Sequence, residues 1–287
     1  MAGCDRFVVA PGDLMSFLDP MLVLELLALG VFTGFLAGLL GIGGGMLMVP
    51  FLTFIFNHRG IEQGLAVKMA IATSMATILF TSLSSVRAHH RRGAVRWDLV
   101  RQLVPGIVIG GLLSGAGVFS LLKGRALALL FVGFVVFSAT QMLVNRKPKP
   151  SRQMPGPLGA GAAGSAIGLV SGLVGAGGAF ISVPFMTWCN ITMSQAVATS
   201  AALGFPISLA NTLGYVIAGW NLPAVIPGAS GYLMLPALGV IAVASMLTAP
   251  LGARFAHSLD TQQLKRVFAV LLYGLGSYMA WRVLSEP

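Results

Sequence analysis

The chain predicts an all-α integral membrane protein of eight apolar segments, and three observations carry that reading: its composition, the length of its apolar segments and an internal duplication. Of 287 residues, 56% are hydrophobic and only 9% charged, against roughly 25% charged in soluble domains. Mean hydropathy is +0.87. From Gln153 to Ala253 there is no Asp, Glu, Lys, Arg or His, so a water-soluble fold would lack ionic groups to cover its surface.

The apolar segments run at about 21–57, 64–88, 97–121, 125–145, 157–190, 193–217, 231–255 and 263–284, separated by charged or Pro/Gly-rich breaks. Most match the ~20 residues that a bilayer core requires. A polar N-terminus, 1–20, precedes them, and a basic, proline-containing linker, 146–156, divides them four and four. The expected domains are therefore a first half at 21–145 and a second at 157–284.

The halves repeat each other. Gly34, Gly38, Gly41, Gly43 and Gly44 recur 134 positions later as Gly168, Gly172, Gly175, Gly177 and Gly178, and Val49-Pro50-Phe51 recurs in register as Val183-Pro184-Phe185. Gly45 is matched by Ala179. Downstream, Ala70-Ile71-Ala72-Thr73-Ser74 returns as Ala196-Val197-Ala198-Thr199-Ser200. Two motifs in the same order make a 4+4 internal repeat the expected architecture.

Spaced glycines such as Gly34, Gly38, Gly168 and Gly172 suit close helix packing. The denser runs, Gly41–Gly45 and Gly175–Ala179, suit an interrupted helix, because glycine costs roughly 1 kcal/mol per residue within one. Length agrees: Leu27 to Asn57 as one helix would reach about 46 Å, against roughly 30 Å of hydrocarbon. Segments 21–57 and 157–190 are thus expected to be broken, either re-entrant or bent. If both re-enter, each half crosses three times and the halves are inverted. That arrangement puts the basic loops at 87–101, 146–152 and 254–266 on one face, as the positive-inside rule asks of a cytoplasmic face.

A helix start inside the bilayer presents unpaired N–H groups and about half a positive charge, which suits an anion. The expected substrate-binding residues are Gly41, Gly43, Gly44, Gly45, Gly175, Gly177 and Gly178 at the breaks. Thr73, Ser74, Thr199, Ser200 and Asn211 on the segments that follow are expected to complete the site, and Thr77, Ser82 and Ser208 are further polar neighbours. Apart from Glu25, Lys68, Asp98 and Lys265 near segment starts, no carboxylate or lysine lies within an apolar segment, which disfavours cation and drug transport. His89 and His90, beside Arg91 and Arg92, read as solvated interfacial groups. The net charge of +10 sits in short loop clusters rather than on one helix, so it reads as topology and not nucleic-acid binding. Two cysteines, Cys4 and Cys189, build neither a disulfide framework nor a metal site, and no cofactor motif is present. Nor does any nucleophile, metal cluster or carboxylate pair point to an enzyme.

The residues carrying the duplication, Gly41-Ile42-Gly43-Gly44-Gly45 with Val49-Pro50-Phe51-Leu52 and then Ala70–Ser74, resemble the signature of the TauE/SafE sulfite exporter family, also called TSUP. Arg91-Arg92-Gly93-Ala94-Val95-Arg96-Trp97-Asp98 resembles that family's basic loop. The likeness runs from about Leu22 to Leu284. It implies a multi-pass transporter of the bacterial inner (cytoplasmic) membrane, moving a small anion such as sulfite or an organosulfonate, commonly outward. Its implied partners are the bilayer and that anion; no nucleic acid, cofactor or oligomeric state is implied. An anion channel is the alternative reading, with a membrane enzyme or scaffold behind it.

Overall fold

The computed structural model describes residues 20–40, 44–144, 152–220, 222, 228–255 and 261–285. The N-terminus, Cys4, Gly41, Gly43, most of the 146–156 linker, the loop before Gly228 and the tip of the 254–266 loop lie outside them.

Ten helices are described. In the first half they are α1 (Pro20–Leu40), α2 (Gly45–His58), α3 (Gln63–His90), α4 (Trp97–Leu121) and α5 (Gly124–Val144). In the second half they are α6 (Pro157–Val174), α7 (Ala179–Trp188), α8 (Met193–Gly219), α9 (Leu235–Phe255) and α10 (Thr261–Ser285). Eight are long and apolar enough to cross a membrane, and α2 and α7 are shorter. The protein is an all-α multi-pass membrane protein. Helices suit a lipid environment because they satisfy their own backbone hydrogen bonds.

Both long apolar segments are broken at their glycine runs, and each break is a hairpin. Leu22 and Leu26 of α1 line one small cavity together with Ile55 and Phe56 of α2. The α2 helix has therefore returned to the level at which α1 began. In the second half the Arg152 backbone N–H donates to the Trp188 carbonyl at 3.4 Å, and the Arg152 guanidinium lies 4.8 Å from the Trp188 ring centre. The α7 helix likewise ends beside the start of α6.

Glycines set the tightest helix pairs. A Cβ on Gly34 would overlap Ser245 and Thr248 of α9, and one on Gly252 would overlap Phe35 of α1. The same holds for Gly106 and Gly110 of α4 against Gly161 and Ser165 of α6, and for Gly168 against Ile107. Small residues let these backbones approach, and the contact replaces the hydrophobic drive that lipid cannot supply. The α3 and α8 helices pack against each other at the centre, and α5 packs against α10.

Two features differ from the expected segments. The 231–255 segment becomes helical only at Leu235. Ahead of it β1 (Ala229–Ser230) pairs antiparallel with β2 (Leu233–Met234), because Gly228 and Gly231 take positive φ angles of 83° and 59° that reverse the chain. Within α4, Leu113–Val118 is a π turn. Such turns are uncommon and cluster at functional positions.

Candidate functional site

The helix α2 starts after Gly44 (φ 66°) and α7 after Gly178 (φ 75°). Both angles are left-handed, a conformation that glycine adopts without penalty. Neither start has a side-chain cap. Among the described residues the amides of Gly45, Met46, Ala179 and Phe180 have no acceptor. The next amides bond back to the glycine carbonyl, Leu47 to Gly44 at 3.1 Å and Ile181 to Gly178 at 3.1 Å. Two uncapped helix starts are thus buried at the protein centre.

The two breaks touch. A Cβ on Gly45 would overlap the carbonyl oxygen of Gly175 and come within 2.7 Å of Ile78 Cδ1. Ser74 ties the breaks to the central helices: its hydroxyl lies 3.0 Å from the Ile71 carbonyl and 3.3 Å from that of Gly175.

Among the described residues the second break opens to a cavity. A narrow crevice of about 50 Å³ runs from Arg92 and His89 at the end of α3, past Ser85, Ser82 and Gly38, to Gly177, Ala179 and Ser200. That volume holds a few waters or one small anion. Ser200 Oγ lies 2.7 Å from Ser182 Oγ at its floor. No Asp or Glu lines it. The start of α2 stays behind Ile78, so Gly44 and Gly45 shape the wall without lining the crevice.

The remaining expected residues serve elsewhere. Thr73 Oγ1 accepts the Met234 backbone N–H at 3.1 Å, and Thr199 Oγ1 accepts that of Arg96 at 3.1 Å. Each threonine holds the residue just ahead of a helix, α9 or α4. Asn211 donates to the carbonyls of Gly168 at 3.3 Å and Ile207 at 2.8 Å, and its amide fills the notch above Gly172 beside Ser114. Thr73, Ser74, Thr199 and Asn211 are fully buried and do not line the crevice.

The crevice recruits what the sequence reads as a solvated interfacial group and a topological loop charge: His89 and Arg92 stand at its mouth. Thr81, Ser82, Ser85 and His89 fall on one face of α3 at helical spacing, a polar stripe that the sequence carries openly. His90 is turned away from it, accepting the Trp97 indole N–H at 3.2 Å.

Toward the opposite face the described residues hold a buried aromatic cluster. Phe119 and Tyr215 have ring centres 4.5 Å apart, Phe119 and Tyr232 are 5.3 Å apart, and all three are buried. The Tyr215 hydroxyl donates to the Gly172 carbonyl.

A multi-pass helical membrane protein with buried, uncapped helix starts and a crevice reaching one of them from a single face belongs to the class of membrane transporters. Comparison with known proteins defines the group: residues 26–279 match the family described as Sulfite exporter TauE/SafE. The chain belongs to that family, and its relatives are named as transporters rather than enzymes. It is 34% identical over 251 residues to a "Probable membrane transporter protein" of Haemophilus influenzae, covering 87% of this chain and 95% of the relative. A second relative so named, from Methanocaldococcus jannaschii, is 28% identical over 275 residues, covering 90% and 96%. A third, from Bacillus subtilis, is 26% identical over 257 residues, covering 85% and 93%. No solved structure matches the chain.

Proposed function

We propose that this chain is a secondary transporter of the bacterial cytoplasmic membrane that exports a small, sulfur-containing anion such as sulfite or an organosulfonate. The observation that carries the reading is the crevice: it joins a basic mouth at Arg92 to the uncapped start of α7 and meets no carboxylate on the way. Backbone donors and a serine hydroxyl bind an oxyanion without the desolvation cost of a buried cation. Gly177, Gly178, Ala179 and Ser200 are the proposed binding residues, with Gly44, Gly45 and Gly175 as the wall that positions them and Gly41 and Gly43 in the break before α2.

The proposed architecture is two inverted halves, 21–145 and 157–284, joined by the 146–156 linker. Pairings support it. The α1 helix packs on α9 and α6 on α4, so the first helix of each half meets the fourth of the other, while α3 meets α8 and α5 meets α10. Orientation follows from charge: Arg87, Arg91, Arg92, Arg96, Arg101 and Arg152 gather at the crevice face, which is therefore assigned to the cytoplasm. The buried aromatic cluster of Phe119, Tyr215 and Tyr232 toward the opposite face favours alternating access over a channel.

Proteoliposomes loaded in turn with sulfite, sulfoacetate, taurine, thiosulfate and chloride test this. Saturable flux of sulfite or a sulfonate at transporter rates, without conductance in a planar bilayer, is expected. Flux of none of the sulfur anions, or a steady single-channel current, overturns it.

A further inference from the structure

At the face opposite the crevice, α3 and α5 begin side by side. A Cβ on Gly124 would overlap the backbone of Gly64, so the two helix starts are in direct contact. The α3 start has no side-chain cap, and among the described residues the amides of Gly64, Leu65, Arg125 and Ala126 have no acceptor. In front of them lies a half-open cavity of about 570 Å³, lined by Lys68, Lys123 and Arg125 with Glu62 as its one acid.

Among the described residues none of these three cations makes an ion pair; the Arg96–Asp98 bridge lies elsewhere. Lys68 is held in place by neutral groups. Its Nζ donates to the Ser120 carbonyl at 3.3 Å and lies 5.4 Å and 5.7 Å from the ring centres of Tyr232 and Phe119. The side-chain oxygen of Gln63, which also lines the cavity, is buried without a partner. Three cations against one acid at two adjoining helix starts leave positive charge that no ion pair neutralises among the described residues.

We propose that this cavity is a second oxyanion-binding site, separate from the crevice and divided from it by the Phe119, Tyr215 and Tyr232 rings. It takes a sulfate-, sulfonate- or phosphate-type group: Arg125 offers a planar fork suited to two oxygens, Lys68 and Lys123 act as point charges, and the helix-start amides complete the shell. The group can arrive as a free anion or on the head of an anionic lipid. Binding here does not depend on the transport reading, so the experiment reads binding alone.

The protein is placed in nanodiscs of phosphatidylcholine and titrated with radiolabelled sulfate at low ionic strength. In a second arm, native mass spectrometry measures retained phosphatidylglycerol. Wild type is compared with a K123Q/R125Q double variant, both positions being exposed, and with G178V, which lies at the crevice end and touches none of the residues lining this cavity. The site predicts that K123Q/R125Q weakens sulfate binding by about tenfold or more for each cation removed, or abolishes phosphatidylglycerol retention, while G178V changes neither at this site. Loss in the first arm assigns a free anion, and loss in the second assigns a lipid head. K68Q, with thermal stability measured alongside, is expected to act in the same direction. Sulfate affinity and lipid retention both equal to wild type in K123Q/R125Q overturn the proposal.

Discussion

Gly178→Val tests the central element, the uncapped start of α7. Gly178 sits at φ 75°, where a Cβ would lie 2.5 Å from Ile207 Cδ1, 3.1 Å from Ser171 Oγ and 3.4 Å from Ile167 Cγ2. The Ile207 tip and the Ser171 hydroxyl can rotate aside, but the β-branched Ile167, buried on α6, has little rotamer freedom to do so. A left-handed β-branched residue costs about 1–3 kcal/mol, and overpacking a similar amount, so the combined strain is about 2–6 kcal/mol. The chain relieves it most cheaply by rotating the peptides on either side, which turns the Ala179 and Phe180 amides from the crevice. Each charge-assisted hydrogen bond lost is worth about 1.5–3 kcal/mol, and 1.4 kcal/mol is a factor of ten. Sulfite efflux from proteoliposomes should therefore fall at least about tenfold, with Gly178→Ala intermediate. Gly239→Ala, where a Cβ meets nothing within 4 Å, should leave efflux unchanged. Membrane insertion and gel-filtration profile serve as controls. Near-normal efflux by a well-inserted Gly178→Val protein would refute the role given to the α7 start.

Thr73→Val and Thr199→Val should each lower thermal stability by about 1–3 kcal/mol, since the Met234 or Arg96 amide loses its buried acceptor, while KM for the transported anion stays at the wild-type value. Gly168→Ala should cost about 1–3 kcal/mol in an unfolding titration because its Cβ meets the Ile107 carbonyl, whereas Gly117→Ala, facing open space, should stay within about 0.5 kcal/mol. Arg92→Gln should raise KM and flatten its dependence on salt, the signature of a lost steering charge at the mouth.

The bilayer made much of this fold legible. Segment lengths and charged breaks are set by hydrocarbon thickness, so the eight spans fall close to the boundaries read from composition. The breaks were legible because a run of glycines is incompatible with a stable helix interior. What lay out of reach was long-range: Thr73 and Thr199 carry the same motif as any polar helix residue, and their partners lie 161 and 103 residues away. The π turn in α4 leaves no compositional mark, and the short β1–β2 hairpin follows from two glycines whose φ angles only the fold decides. His89 reads from sequence as a solvated interfacial group and Arg92 as a topological loop charge, because sequence alone cannot say that a basic loop roofs a crevice.

The proposed repeat makes a further prediction, because the positions it pairs in the two halves have unequal surroundings. Gly38, Ser82, Ser85 and His89 line the crevice. Their counterparts by the repeat, Gly172, Ser208, Asn211 and Tyr215, are buried, and Asn211 Oδ1 and the nearby Ser114 and Ser171 hydroxyls lack partners. Burying polar atoms unpaired is costly, and the cost is recovered if these groups are hydrated in a second state. On the proposed inverted arrangement, that state opens the second set to the Lys68 face and closes the first. In a C4S/C189S background, Ser85→Cys should react quickly with a charged thiol reagent from the crevice face, and Asn211→Cys slowly from the other. Conditions that protect Ser85→Cys, such as saturating transported anion on one side, should speed Asn211→Cys by a matching factor, because a two-state equilibrium moves both populations together. A channel would leave both positions reactive at once. Asn211→Cys that is modified as fast as Ser85→Cys under the same conditions would therefore refute alternating access in this protein.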